Sequence, residues 1–100
     1  MKIVWSDQAR REWQEQYRFY LSRNPDAARR MRQAIMDAAS RVRDFPRMGK
    51  PGRVEGSREL AIAGTPFLIV YDENPARVEI VHFYHGRQNW QGGESEDIEI

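Results

Sequence analysis

Lys50, Arg53, Arg58, His82, Tyr84, His85 and Arg87 are the side chains best able to move a proton or hold an anion. They fall in one stretch of a 100-residue sequence. Imidazoles among guanidinium, ammonium and phenol groups suit cleavage of an RNA phosphodiester without a metal. In that reaction a base takes the 2′-hydroxyl proton, cations offset the charge growing on phosphorus, and an acid protonates the leaving 5′-oxygen. Histidine near neutral pH performs either proton transfer. Each candidate also has a plainer role. His82, between Val81 and Phe83, reads as a packed or partly buried residue, whereas His85, beside Gly86 at a strand end, is the better functional candidate. Arg58 has a structural alternative in an ion pair with an acid such as Glu79 on a neighbouring strand. Trp90 either packs on the sheet or stacks on a partner's base, and packing is the plainer reading.

The composition narrows the chemistry. No P-loop or dinucleotide glycine fingerprint occurs, and no G-x-S-x-G nucleophile motif. With no cysteine and two histidines, a structural zinc site is not expected, and neither a metal nor a cofactor is called for. The net charge of +1 hides an asymmetry: four acids lie in the last seven residues, leaving sixteen bases against eleven acids, +5, in residues 1–93. Fourteen of those bases are arginines, whose planar guanidinium suits phosphate and carboxylate, so an anionic partner is favoured over a neutral one. Solvated surface arginine explains the same composition without a partner. No apolar run approaches the roughly 20 residues that span a bilayer, and the N-terminus lacks the apolar core of a signal peptide. No membrane association and a cytoplasmic location are the expectations.

These side chains need a scaffold, and the local signals supply one. Lys2 to Trp5 is strand-like, and Ser6 stands as the N-cap of a helix beginning at about Asp7. Ala9, Trp13, Tyr17, Tyr20 and Leu21 recur at spacings of three and four and predict one buried stripe. Asn24-Pro25 combines a capping side chain with proline at the first helical position, so a second helix follows after a tight turn. Its apolar face runs through Ala27, Ala28, Met31, Ile35, Ala38, Ala39, Val42 and Phe45, and its other face carries Arg29, Arg30, Arg32, Arg41 and Arg43. Phe45-Pro46 ends it, and Arg47 to Arg53 reads as a basic loop. Three β-like runs follow, Gly56–Leu60, Thr65–Tyr71 and Val78–Trp90, with turns short enough for an antiparallel meander. The expected fold is α+β: an N-terminal strand, then a helical hairpin on one face of a small antiparallel sheet, in the order β-α-α-β-β-β. Residues 1–91 form one domain and 92–100 a flexible acidic tail. The far side of the sheet is expected to display Arg58 and His85 within reach of a common ligand.

The order strand, helical hairpin, Pro46-x-x-Gly49, Gly56-Ser57-Arg58-Glu59-Leu60, Phe67-Leu68-Ile69-Val70-Tyr71 and His85-x-x-Gln88-x-Trp90 resembles the RelE/ParE family of bacterial toxins from type II toxin–antitoxin modules. The resemblance covers Lys2 to about Trp90. It implies a compact toxin that arrests growth and is held inactive by a cognate antitoxin. The target is DNA gyrase in the ParE branch and ribosome-bound mRNA in the RelE branch. For the nuclease alternative the resemblance implies Arg58, His85 and Arg87 as the catalytic group, with Lys50, Arg53, Tyr84 and Trp90 binding the target or its phosphates. RelE-like nucleases commonly place a tyrosine or histidine close to the C-terminus, whereas the last tyrosine here is Tyr84. A third possibility is a module that binds its antitoxin and does nothing else.

Overall fold

Local signals set where each element begins. In the computed structural model, which describes residues 2–86, β1 (Lys2–Trp5) is followed by α1 (Asp7–Arg23) and α2 (Pro25–Asp44). Ser6 is the N-cap of α1, its Oγ accepting the Ala9 N–H at 3.0 Å, and Asp7 places a negative charge at the positive end of the helix. Asn24 closes α1 through its own N–H to the Tyr20 carbonyl and opens α2 through its Oδ1, which accepts from Ala27. Pro25 occupies the first turn, where a missing N–H costs nothing, and α2 stops before Pro46.

The strands are β2 (Lys50–Pro51), β3 (Ser57–Ala61), β4 (Phe67–Glu73) and β5 (Arg77–His85), in the spatial order β1-β5-β4-β3-β2. The meander β2 to β5 is antiparallel, and β1 joins it parallel to β5, with Ile3 opposite Val78 and Trp5 opposite Ile80. The α+β architecture is as expected, with two additions. The sheet is mixed, because the helical hairpin carries the chain over one face before it returns, a crossover that makes parallel pairing geometrically available. The basic loop after α2 also holds a two-residue strand, Lys50–Pro51, against Glu59 and Arg58.

The core lies between the helices and one face of the sheet. Ala9, Met31, Ile35, Ala38 and Val42 pack on Phe67, Ile69, Tyr71, Val78, Ile80 and Phe83. Phe67 lies at its aromatic centre, stacked on Phe83 at 4.8 Å and meeting Tyr20 at 6.0 Å and His85 at 5.5 Å between ring centroids. Leu21 and Phe45, both in the predicted helical stripes, are exposed. Leu21 is largely exposed, because Tyr20 already takes the place over Phe67, and Phe45 is 66% exposed, because the backbone leaves the helix there ahead of Pro46.

The loop between α2 and β3 is tied to the sheet through Tyr71. Its buried hydroxyl donates to the Pro46 carbonyl at 2.7 Å and accepts the Gly49 N–H at 2.9 Å. Gly49 has no room for a side chain: a Cβ there would lie 2.6 Å from that hydroxyl and 2.9 Å from the Glu59 carbonyl. Replacing Tyr71 by Phe orphans a buried N–H and leaves a half-buried C=O without its donor, so it is expected to cost about 1–3 kcal/mol in a denaturant titration. Phe67→Ala should cost about 3–5 kcal/mol by the same measurement, through the cavity left among the rings.

Candidate functional site

Side chains on β5 do not alternate evenly. The pairing with β4 slips between Val70 and Tyr71, so that Val70 faces His82 while Tyr71 faces Ile80, and Val81 is the extra residue of a bulge. Val78 and Ile80 point at the helices before it, and Phe83 and His85 point at them after it. His82 and Tyr84 are thereby turned to the other, open face, where their rings stack at 4.8 Å and 15°. The start of α1 holds the bulge in place. The Ser6 N–H donates to the Ile80 carbonyl at 2.9 Å, Ser6 Oγ donates to the Val81 carbonyl at 3.1 Å, and Glu12 Oε1 accepts the Phe83 N–H at 2.9 Å. The same Glu12 oxygen lies 3.5 Å from His82 Nδ1. These three contacts occupy the flank of β5 beyond the point where β1 stops pairing with it.

Cross-strand register assigns Glu59, Leu68, Val70, His82 and Tyr84 to the open face. At one end, Lys50, Arg53, Glu59, Leu68 and Gly86 line a hollow of about 430 Å³. Glu59 is almost fully buried there. It accepts the Arg53 backbone N–H at 3.0 Å and lies 3.4 Å from the Arg53 guanidinium, so the loop at 52–56 is folded over it. Leu68 stands directly opposite Tyr84, which brings the phenol to the rim of the hollow and under the electrostatic influence of Arg53. At the other end Asp72 faces Glu79 across the ladder. Burial, together with Glu79, raises the Asp72 carboxyl above its usual range, while His82 pulls it back. The open face therefore has a cationic pole, an acidic pole, and the His82–Tyr84 pair between them.

The expectation of a shared far-side site for Arg58 and His85 is not met. Arg58 pairs with Tyr71 and His85 with Phe67, both core residues, so each lies on the helix-side face. Four residues of β4 and two strand spacings separate them, placing their backbones roughly 16 Å apart. Arg58 Nη1 donates to the carbonyls of Gly49 at 2.6 Å and Arg47 at 3.3 Å, so its partner is the loop. Glu79, the suggested ion-pair partner of Arg58, instead lies 3.6 Å from Arg77. His82 is partly buried, as its mid-strand position suggested. Of the remaining candidates, Lys50, Arg53 and Tyr84 come together on the open face, while Arg87, Trp90 and the acidic tail lie outside the described residues. Glu12 was not a candidate, since a polar residue on a helix wheel carries no sign of the strand edge that it will meet. Glu59 carries no local signal of its role within Gly56-Ser57-Arg58-Glu59-Leu60, and only the register with Lys50 and Val70 reveals it.

Comparison with known proteins bears on this arrangement. Residues 3–90 match the family described as the ParE toxin of type II toxin–antitoxin systems, parDE. A curated relative, "Putative toxin Y4kP" of Sinorhizobium fredii, is 34% identical over 89 residues, spanning 89% of this chain and 92% of its own length. Among solved structures, the chromosomal ParDE system from P. aeruginosa superposes with a TM-score of 0.74 at 20% identity, covering 85% of this chain and 95% of its own. The YoeB/ParE toxin from Agrobacterium tumefaciens gives 0.57 at 20% identity, covering 85% and 98%. Those two likenesses concern the fold. The family match over nearly the whole chain and the curated relative carry the conclusion that this chain belongs to the ParE toxin family of type II toxin–antitoxin systems.

Proposed function

We propose that this chain arrests bacterial growth by binding DNA gyrase in the cytoplasm, as a ligand and not as a nuclease, and that a cognate antitoxin neutralises it. The observation that carries this reading is the separation of Arg58 from His85. A phosphodiester cleaved in place needs its cation and its proton-transfer group within about 3 Å of the reacting atoms. Here the Arg58 Nη1 is bonded to loop carbonyls, and His85 packs edge-on against Phe67 across the sheet. The open face has the makings of a docking surface instead. Lys50 and Arg53 flank a hollow floored by Leu68, and the Tyr84 hydroxyl is a neutral donor. Burial and the neighbouring Glu12 push that phenol up to about 12, against a smaller opposing pull from Arg53. It therefore donates a hydrogen bond at neutral pH and is no base. Membership of the ParE family supports the same branch.

Expression of the chain without antitoxin, followed by growth, plasmid supercoiling and message integrity, tests the proposal. Arrest with disturbed supercoiling and intact mRNA is the expected result. Ribosome-dependent cleavage of mRNA with undisturbed DNA would overturn it in favour of an endoribonuclease. Normal growth at high soluble expression, with tight antitoxin binding retained, would leave only an antitoxin-binding module. Lys50→Glu reverses an exposed charge at the rim of the hollow and is expected to weaken target binding about ten-fold, or ~1.4 kcal/mol, without loss of folded protein.

The phenols make a second prediction. Tyr71 is raised by burial in the same direction as Tyr84, so two of the four tyrosines should ionise late in an absorbance titration at alkaline pH, and Tyr84→Phe should remove one of them. A folded-state value above the unfolded one means that the native state holds the proton more tightly. That contribution to stability is complete below about pH 10 and is lost as the pH climbs toward 12. Alkaline melting that begins at lower pH in the wild type than in Tyr84→Phe is the matching outcome.

A further inference from the structure

The solvent-facing half of α2 carries Arg29, Arg30, Arg32, Arg41 and Arg43, all of them exposed. At 3.6 residues per turn, the interval from Arg30 to Arg41 is close to three whole turns and advances about 16.5 Å along the axis. Those two side chains are therefore aligned on one flank of the helix, and Arg32 and Arg43, at the same interval, on the other. Their neighbours agree. Arg30 stands beside Gly64 and Thr65, and Arg41 beside Ala63, in the turn between β3 and β4. Arg32 and Arg43 stand on the side of Trp5, where α1 and β1 lie. The acids of α2 do not cancel these charges. Asp26 is bonded to Arg29, Asp37 accepts from Gln33 at 3.0 Å, and Asp44 lies 3.3 Å from Arg43. Arg30, Arg32 and Arg41 are left with no ion pair, hydrogen bond or ring contact among the described residues. The Arg43–Asp44 pair is exposed on both sides and holds weakly.

Two rows of guanidinium groups on opposite flanks of an uninterrupted 20-residue helix fit a polyanion that offers charge on two walls. The major groove of duplex DNA is such a surface. It is about 12 Å wide, bordered on each side by a phosphate strand, and matched to the diameter of about 10–12 Å of an α-helix with its side chains. We infer that α2 binds duplex DNA along the major groove, with Arg30 and Arg41 on the phosphates of one strand and Arg32, joined by Arg43, on those of the other. The planar guanidinium meets phosphate oxygens through paired N–H donors. Contacts to phosphate carry no sequence information, so the binding is independent of base sequence. A single strand lacks the second wall, and duplex RNA fits poorly because its major groove is deep and narrow. The helices cover the face of the sheet opposite His82 and Tyr84, so DNA on α2 leaves the open face uncovered, whatever target docks there. A toxin held in this way reaches a DNA-bound enzyme by sliding and hopping along the polymer, and only that consequence rests on gyrase being the target.

Fluorescence anisotropy of an end-labelled, mixed-sequence DNA duplex titrated with the full chain, free of antitoxin and of gyrase, is the test. With Arg30, Arg32 and Arg41 as phosphate contacts, the logarithm of the affinity should fall against the logarithm of salt concentration with a slope of about −2.7, or roughly forty-fold between 50 and 200 mM. Arg30→Gln, Arg32→Gln and Arg41→Gln should each weaken binding at low salt and reduce the slope by about 1. Glutamine is a good helix former, and an unchanged circular dichroism spectrum separates a lost contact from a lost helix. Arg77→Gln makes the same change of charge beside Glu79, away from α2, and should leave affinity and slope in place. Slopes unaltered in the three α2 variants, or reduced equally by Arg77→Gln, would overturn the inference. Binding to duplex RNA of the same sequence as tight as to DNA would overturn it too, and would assign the face to RNA. Absence of measurable binding at 50 mM salt would return α2 to a solvated surface.

Discussion

One extra residue in β5 decides what this molecule shows to its surroundings. Without Val81 as a bulge, the two-residue period that buries Val78 and Ile80 would carry His82 and Tyr84 into the helix-side core and turn Phe83 and His85 outward. The aromatic centre around Phe67 would lose its stacking partner, and the open face would gain a phenylalanine in place of a stacked imidazole and phenol. The bulge is held by groups that would exist in any case. The N-cap of α1 contributes its backbone N–H and its hydroxyl, and Glu12, nearly two turns later, takes the next outward amide. Helix initiation and strand irregularity are therefore one device: the residue that starts α1 also fixes the face that each of the last β5 side chains occupies.

Charge is arranged with a similar division of labour. Arg53 is bound by its backbone and by its guanidinium to buried Glu59, so losing the Arg53 side chain would leave a buried carboxylate without its counter-charge. Arg58 holds the chain between α2 and β2 through carbonyl oxygens. Two cations of the central motif thus serve architecture before they serve recognition. Lys50, on the edge strand, is exposed. The helical ion pairs Arg10–Asp7 and Arg29–Asp26 lie in solvent and contribute little to stability.

Much of the fold was legible because its punctuation is local. Ser6 before Asp7, Asn24-Pro25 and Phe45-Pro46 each act within one turn of backbone, and the structure honours all three. The amphipathic stripes were legible for the same reason, except at Leu21 and Phe45, where what matters is where the neighbouring elements end. The parallel docking of β1, the two-residue strand at Lys50–Pro51 and the Val81 bulge were not legible, since each depends on a partner far away in sequence. The candidate site suffered most from this. Lys50, Arg53 and Tyr84 were recognisable as a set by residue type, yet placing Arg58 and His85 on one surface assumed an even alternation that the register does not obey.

The exposed flank of the sheet has a bearing on the behaviour of the toxin at high concentration. An outer strand with free amides and carbonyls is a template onto which another chain can polymerise. Here that strand is two residues long, and Pro51 lacks the donor that a newcomer would need, while Lys50 adds a charge that a stacked copy would have to bury beside its own. Fibre growth from this flank is disfavoured by chain chemistry alone.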